Sequence, residues 1–187
     1  MLKYLLFCGV LCSITLVIRA GDMGPGVWSV HFIKKCEEEV HKFKFDIVQK
    51  KINRTHDGFN ADLILEETFN SDFGVRIDIC KYVDGGCKQY QVLSDDCFVN
   101  FVNKYAENNV RNCLEIAGVD PPEFPIKEGE YHVTGYEFDY SELPSDGMYG
   151  IYCARAFILR GSQETGCVEI HVEFKEVEDD DDDCDDE

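Results

Sequence analysis

The sequence predicts an all-β fold: an antiparallel β-sandwich organised around Glu123–Phe174, with one short helix, that holds something apolar between its sheets. In Cys167–Phe174, Val168, Ile170, Val172 and Phe174 alternate with Cys167, Glu169, His171 and Glu173. A period of two with apolar residues on one side marks a strand with one buried and one wet face. Tyr149–Leu159 carries Ile151, Cys153, Phe157 and Leu159 on one face and Tyr152, Ala154, Ala156 and Ile158 on the other. Both faces are largely apolar, so this strand belongs at the centre of a sheet or beside a cavity. Further short alternating runs upstream, separated by turn residues, complete the all-β pattern.

The elements follow in order. Trp28, Val30 and Phe32 alternate with Ser29 and His31 in a first strand that ends near Cys36. Phe43, Phe45 and Ile47 form a second, and Asp57-Gly58 supplies a turn. Phe59, Ala61, Leu63 and Leu65, then Phe73, Val75, Ile77 and Ile79, read as a hairpin turned at Phe69–Asp72. Asp84-Gly85-Gly86 is the next turn; Cys80 and Cys87 flank it closely enough to be bridged across antiparallel partners, outside the core. Ser94-Asp95-Asp96 resembles a helix start. Phe98, Phe101, Val102 and Tyr105 follow at helical spacing, and Asn108-Asn109 closes the helix. Pro121-Pro122 forces an extended turn. Between Tyr131 and Tyr140 the apolar phase slips from odd to even positions, which predicts a bulge at Gly135.

Residues 1–20 read as a signal peptide, with Lys3, an apolar run from Tyr4 to Ile18, and Ala20 at the cut. The run is short for a span of about 20 residues, so no stable membrane insertion is expected. The product would be secreted and extracellular, with residues 21–175 as one domain and 176–187 as an acidic tail. Of ten cysteines, Cys8 and Cys12 leave with the leader. Eight remain, and an even count in a secreted chain implies disulfides. Cys184 is expected to be tethered by one of them. Asn53-Arg54-Thr55 is a glycosylation sequon at Asn53.

The formal net charge is −19, with 37 acidic residues against 18 basic. Such a chain does not track phosphates, so nucleic acid is excluded as a partner. No Cys-x-x-Cys, spaced histidine pair, nucleophile elbow, P-loop or dinucleotide motif occurs. No metal, cofactor or catalytic residue is therefore expected, and the chain is read as not an enzyme. His31 and His171 fall on the polar faces of their strands; a hydrolase built on His132 or His171 is the residual class.

Phe124-Pro125-Ile126-Lys127 with Gly129 and Tyr131, then the Leu143-Pro144 turn and the paired terminal strands, resembles the ML lipid-recognition superfamily. The likeness is to its ganglioside-activator-like branch and related secreted proteins of arthropods. The Cys80–Cys87 spacing is similar to that branch's short hairpin disulfide. One position departs from the pattern: Phe124 stands where a cysteine precedes the proline, and its usual partner would lie near Cys97. The resemblance then implies Cys97 with Cys113, Cys153 with Cys167, and Cys36 with Cys184.

It also implies an immunoglobulin-like, cup-shaped sandwich with an apolar inter-sheet cavity that binds a lipid or other hydrophobic small molecule and does no chemistry on it. Candidate lining residues are Leu63, Leu65, Val75, Ile77, Phe98, Phe101, Val102, Tyr105 and Phe157. The bland reading is that they fill a solid core. The expected function is a secreted, non-enzymatic carrier. The alternative is an extracellular protein-interaction module (a ligand, inhibitor or immune accessory) with a solid core and an acidic binding surface.

Overall fold

In a computed structural model, residues 22–37, 43–51 and 57–177 are described. The expected signal peptide, the sequon at Asn53, and Cys184 with most of the expected acidic tail lie outside them. The described chain forms β1 (Met23–Lys35), β2 (Phe43–Lys51), β3 (Asp57–Leu65), β4 (Phe73–Val83), β5 (Gly86–Asp95), α1 (Phe98–Tyr105), α2 (Glu107–Ile116), β6 (Gly129–Tyr136), β7 (Asp146–Met148), β8 (Gly150–Arg160) and β9 (Gln163–Glu176). The strands make two antiparallel sheets, ordered β5-β4-β8-β9-β1-β7 and β2-β3-β6. The all-β sandwich is therefore present. β8, apolar on both faces, sits between β4 and β9 at the centre of the larger sheet.

One expectation about connectivity changes. β3 and β4 do not form a hairpin; they belong to different sheets. Alternation fixes which face a strand buries, but not which neighbour it pairs with. The turn between them is held elsewhere, because Phe69 exchanges backbone hydrogen bonds with Ile126 at 2.8 and 2.9 Å. The chain thus crosses from one layer to the other at residues 66–72. The bulge in β6 is present: the β3–β6 register shifts between Phe59 and Ala61, Gly135 has φ +67°, and its N–H donates to Asn60 Oδ1 at 2.8 Å.

Among the described residues there are two short α-helices rather than one. α1 begins at Phe98, as its spacing predicts, but not at the expected Ser94-Asp95-Asp96 start: Ser94 and Asp95 end β5, no acid lies in the first turn, and Asp95 Oδ1 accepts from the Cys97 N–H at 2.8 Å. Asn108-Asn109 does not close it; both residues lie in the first turn of α2. The Glu142 carboxylate caps that turn, accepting from the N–H groups of Asn108 (2.8 Å) and Asn109 (2.9 Å) and from Asn109 Nδ2 (2.6 Å). Orphan helix donors are thus satisfied from over thirty residues away. Asn109 is buried, and its Oδ1 accepts from the Tyr136 hydroxyl and from the Asp139 N–H.

Cys80–Cys87 closes the β4–β5 hairpin with a Cα separation of 5.4 Å. The other disulfide among the described residues is Cys36–Cys167, which corrects two expected pairs. Lys35 is in register with Val168, so Cys36 arrives directly beside Cys167, 5.5 Å away between Cα atoms. Cys153 pairs in register with His171, whereas Cys167 faces Phe157. That four-residue offset separates Cys153 from Cys167 by about 13 Å, beyond the roughly 7 Å a disulfide can bridge. Cys97 and Cys113 do not join each other either; both are free thiols, as is buried Cys153.

Candidate functional site

The register places Val75, Ile77 and Ile79 of β4 on the same face as Ile158, Ala156 and Ala154 of β8. Val168, Ile170 and Val172 of β9 continue that face. Ile158 packs against the same buried cluster of Leu65, Phe69, Phe73 and Ile126 as Leu63 and Tyr131 of the smaller sheet, so this is the face turned inward. The two sheets meet along β1 and β2, and the helices reach from β4 and β5 to β6.

Aromatic rings cluster at both ends of the facing inner surfaces. At one end Phe69 packs against Phe73, Phe98 and Phe124 with centroids 4.7, 4.9 and 5.7 Å away, around a buried core of Leu65, Phe73 and Ile126. At the other end Phe174 lies 4.8 Å from Trp28 and 5.7 Å from Tyr149, with Tyr152 beside Trp28 at 6.0 Å. Between these ends the inner faces are only half-buried. Ile77, Ile79, Ala154, Ala156, Ile170 and Val172 are all reached by water, although they sit on central strands. Facing them, Phe45, Ile47, Leu63 and Val133 are half-buried too. A closed sandwich interior is packed like a crystal, with few voids larger than a water molecule. Here the middle of β8 offers two alanines, the smallest side chains that keep a strand apolar, between Tyr152 and Ile158.

The predicted lining residues separate into four groups. Leu63 and Ile77 lie half-buried on the inner faces. Leu65, Val75 and Val102 are buried, and Phe98 belongs with the aromatic end. Phe101 and Tyr105 stack on each other at 4.7 Å on α1, with Tyr105 exposed and Lys104 Nζ 4.8 Å from its ring. Phe157 is on the opposite face of β8. It packs with Cys36, Cys167 and Leu159 beneath the Arg76 guanidinium, 4.4 Å from its ring centre. Its place among the lining residues is therefore corrected. Sequence reasoning passed over Ala154 and Ala156; the signal was their size, on the one strand apolar on both sides.

Two concavities lie elsewhere. One of about 520 Å³ runs between α1 and α2, lined by Val102, Val110, Leu114 and Phe124 with Glu107, Arg111 and Glu123 at its edges. A shallower one of about 400 Å³ lies at the tip of the β4–β5 hairpin. On α2, burial pushes the Cys113 thiol up to about 11, offset in part by its hydrogen bond with Tyr136. Burial and the nearby Cys113 raise the Tyr136 hydroxyl as well. Burial also acts to raise Glu142, but its bonds from Asn109 and Asn108 prevail and hold its carboxyl below the ordinary range.

The histidines on described strands pair with acids. His31 Nε2 lies 3.1 Å from Glu173, His132 Nδ1 2.6 Å from Asp62, and His171 Nε2 2.9 Å from Glu169. The last belongs to a ladder on the outer face of the larger sheet, with Lys34 Nζ 3.1 Å from Glu169 and Arg76 bonded to Glu164 at 2.7 Å.

Among solved structures the chain is similar to chicken MD-1 complexed with lipid IVa. The match covers 75% of this chain and 96% of that one at 15% identity, with a TM-score of 0.33. An overlap that loose decides nothing about function. No family model matches the sequence, and no curated protein matches it.

Proposed function

We propose that this chain is a secreted, non-enzymatic binding protein that holds a lipid or other hydrophobic small molecule between its two sheets. The observation that carries the reading is the half-buried, wholly aliphatic stretch around Ala154 and Ala156, flanked by aromatics at both ends. Apolar surface left in contact with water is costly, and covering it contributes roughly 25 cal/mol per Å². A hydrocarbon tail is the occupant that gains most from such a space, and it needs no charged partner there. Leu63 and Ile77 are the expected contacts that this reading keeps.

The two disulfides fit an extracellular setting. No helix among the described residues is long and apolar enough to cross a membrane. A protein-interaction module with a solid core is the second reading; the groove between α1 and α2 favours it, and the half-exposed inner faces weigh against it. Organic extraction of protein purified from a eukaryotic secretion host, followed by mass spectrometry, tests the carrier reading. Co-purifying lipid in near-stoichiometric amount is expected. Lipid-free protein that also leaves a fluorescent fatty-acid probe unbound would refute it.

A further inference from the structure

We propose that Cys153, Glu169 and His171 form a zinc-type metal site on the outer face of the larger sheet. The observation is their convergence: one ligand atom from each lies within 4.8 Å of the other two. Strand register produces it. Cys153 on β8 is directly opposite His171 on β9, and Glu169 is two residues back along β9 on the same face. Sequence spacing pointed away from metal because it offers no Cys-x-x-Cys or paired histidines; here the ligands come together only across the β8–β9 ladder.

The three groups are a built site rather than a surface scatter. Cys153 is buried at 8% exposure, and the His171 and Glu169 side chains are 13% and 20% exposed. The His171 ring is held by stacking on Phe32 at 3.9 Å, with Tyr82 5.8 Å away. All three stand on the two central strands of a six-stranded sheet, so their backbones are fixed in advance. Around tetrahedral zinc, ligands at about 2.0–2.3 Å from the metal lie roughly 3–4 Å from one another, which rotamer adjustment reaches from this starting point. Thiolate, imidazole and carboxylate together select zinc over calcium or magnesium, which take oxygen ligands.

The charges balance. On binding, the Cys153 S–H bond breaks, its proton goes to solvent, and a sulfur–metal bond forms; nothing is oxidised or reduced. A divalent cation then meets one thiolate and one carboxylate, and neutral His171 gives up its hydrogen bond with Glu169, keeps its ring proton on the nitrogen away from the metal, and completes three protein ligands. Water takes the fourth position. Lys34, which pairs with Glu169 at 3.1 Å, gives up that carboxylate; its side chain is 45% exposed on a flexible stem and swings to solvent. Metal ligation also gives a role to a thiol left unpaired in a chain that forms disulfides elsewhere.

The test is cobalt titration of the purified full-length protein after chelator treatment. One equivalent of Co²⁺ is expected to bring up a thiolate-to-cobalt charge-transfer band in the near ultraviolet, and Zn²⁺ should bleach it. Carboxylates of the acidic tail can bind cobalt but give no such band. His171→Gln and Glu169→Gln should weaken binding by more than the roughly 10- to 100-fold typical of outer-shell changes. Cys153→Ser should abolish the band, and His132→Gln, on β6 beside Asp62, should leave it unchanged. Circular dichroism checks that each variant folds; if Cys153→Ser does not, His171→Gln decides. Absence of the band in wild-type protein whose Cys153 thiol is shown to be free, or a band of equal strength in His171→Gln, would overturn the site.

Discussion

Ala156→Leu separates an open interior from a filled one by the sign of its effect. Ala156 sits on β8 between Ile77 and Val168, facing the smaller sheet. Leucine adds three carbon atoms to the space between the sheets. If a hydrocarbon occupies that space, the substitution displaces the equivalent of about three methylenes at about 0.8 kcal/mol each, or about 2.4 kcal/mol. That corresponds to a loss of about 50-fold in affinity. The folded protein should not suffer, since the new side chain moves into space that water already reaches; its unliganded stability should hold or rise. A solidly packed core would respond the other way, losing about 1–3 kcal/mol to overpacking. The assay pairs displacement of a fluorescent fatty acid with urea unfolding of delipidated protein. Ile151→Ala, on the exposed outer face of the same strand, serves as the control. Unchanged probe affinity in Ala156→Leu, together with a drop in urea midpoint, would refute the open interior.

Other outcomes follow from the same geometry. Removing Cys36–Cys167, which spans 131 residues, should cost about 5 kcal/mol by loop entropy, about twice the cost of removing Cys80–Cys87 with its separation of 7; urea unfolding of the two double-alanine variants compares them. Glu142→Ala should cost about 1–2 kcal/mol through loss of the α2 cap, read from thermal melts. The folded Glu142 carboxyl lies below its unfolded value, so its contribution is complete above the ordinary carboxylate range near pH 4.3 and fades as the pH falls through the lower folded value. The stability gap between wild type and Glu142→Gln should therefore close in acid; a gap that widens there would contradict the cap. Cys113, pushed up to about 11, should resist alkylation at pH 8 in the native state and react once urea unfolds the chain, as peptide mapping would show.

Local pattern made most of the strands legible. The alternation in β3, β4 and β9 and the double-sided β8 are written in consecutive residues, and so is the phase slip that marks Gly135. What depends on distant partners was not legible. β3 and β4 follow one another in sequence yet part into separate layers, because Phe69 bonds to Ile126 across the fold. α2 was missed because its polar start, Glu107-Asn108-Asn109, looks like a terminator until Glu142 is placed over it. The spacing of Val110, Cys113 and Leu114 was its one local signal. The cysteine pairing failed for the same reason: residue counting cannot tell that Cys167 faces Phe157 while Cys153 faces His171. Within the site, Leu63 and Ile77 followed from alternation. Phe157 did not, because a strand apolar on both sides leaves its inward face undecided.

Tyr152 in one aromatic cluster and Ile158 packed against the other set a scale along β8. Tyr152 and Ile158 stand six residues apart, about 20 Å at the usual strand rise. For a guest aligned with the strand, that span acts as a ruler with fixed end-stops. A straight acyl tail shorter than the gap slides within it, one of matching length seats fully, and a longer one must double back or trail into solvent. Chain length would then be discriminated by the scaffold itself, before any headgroup is read.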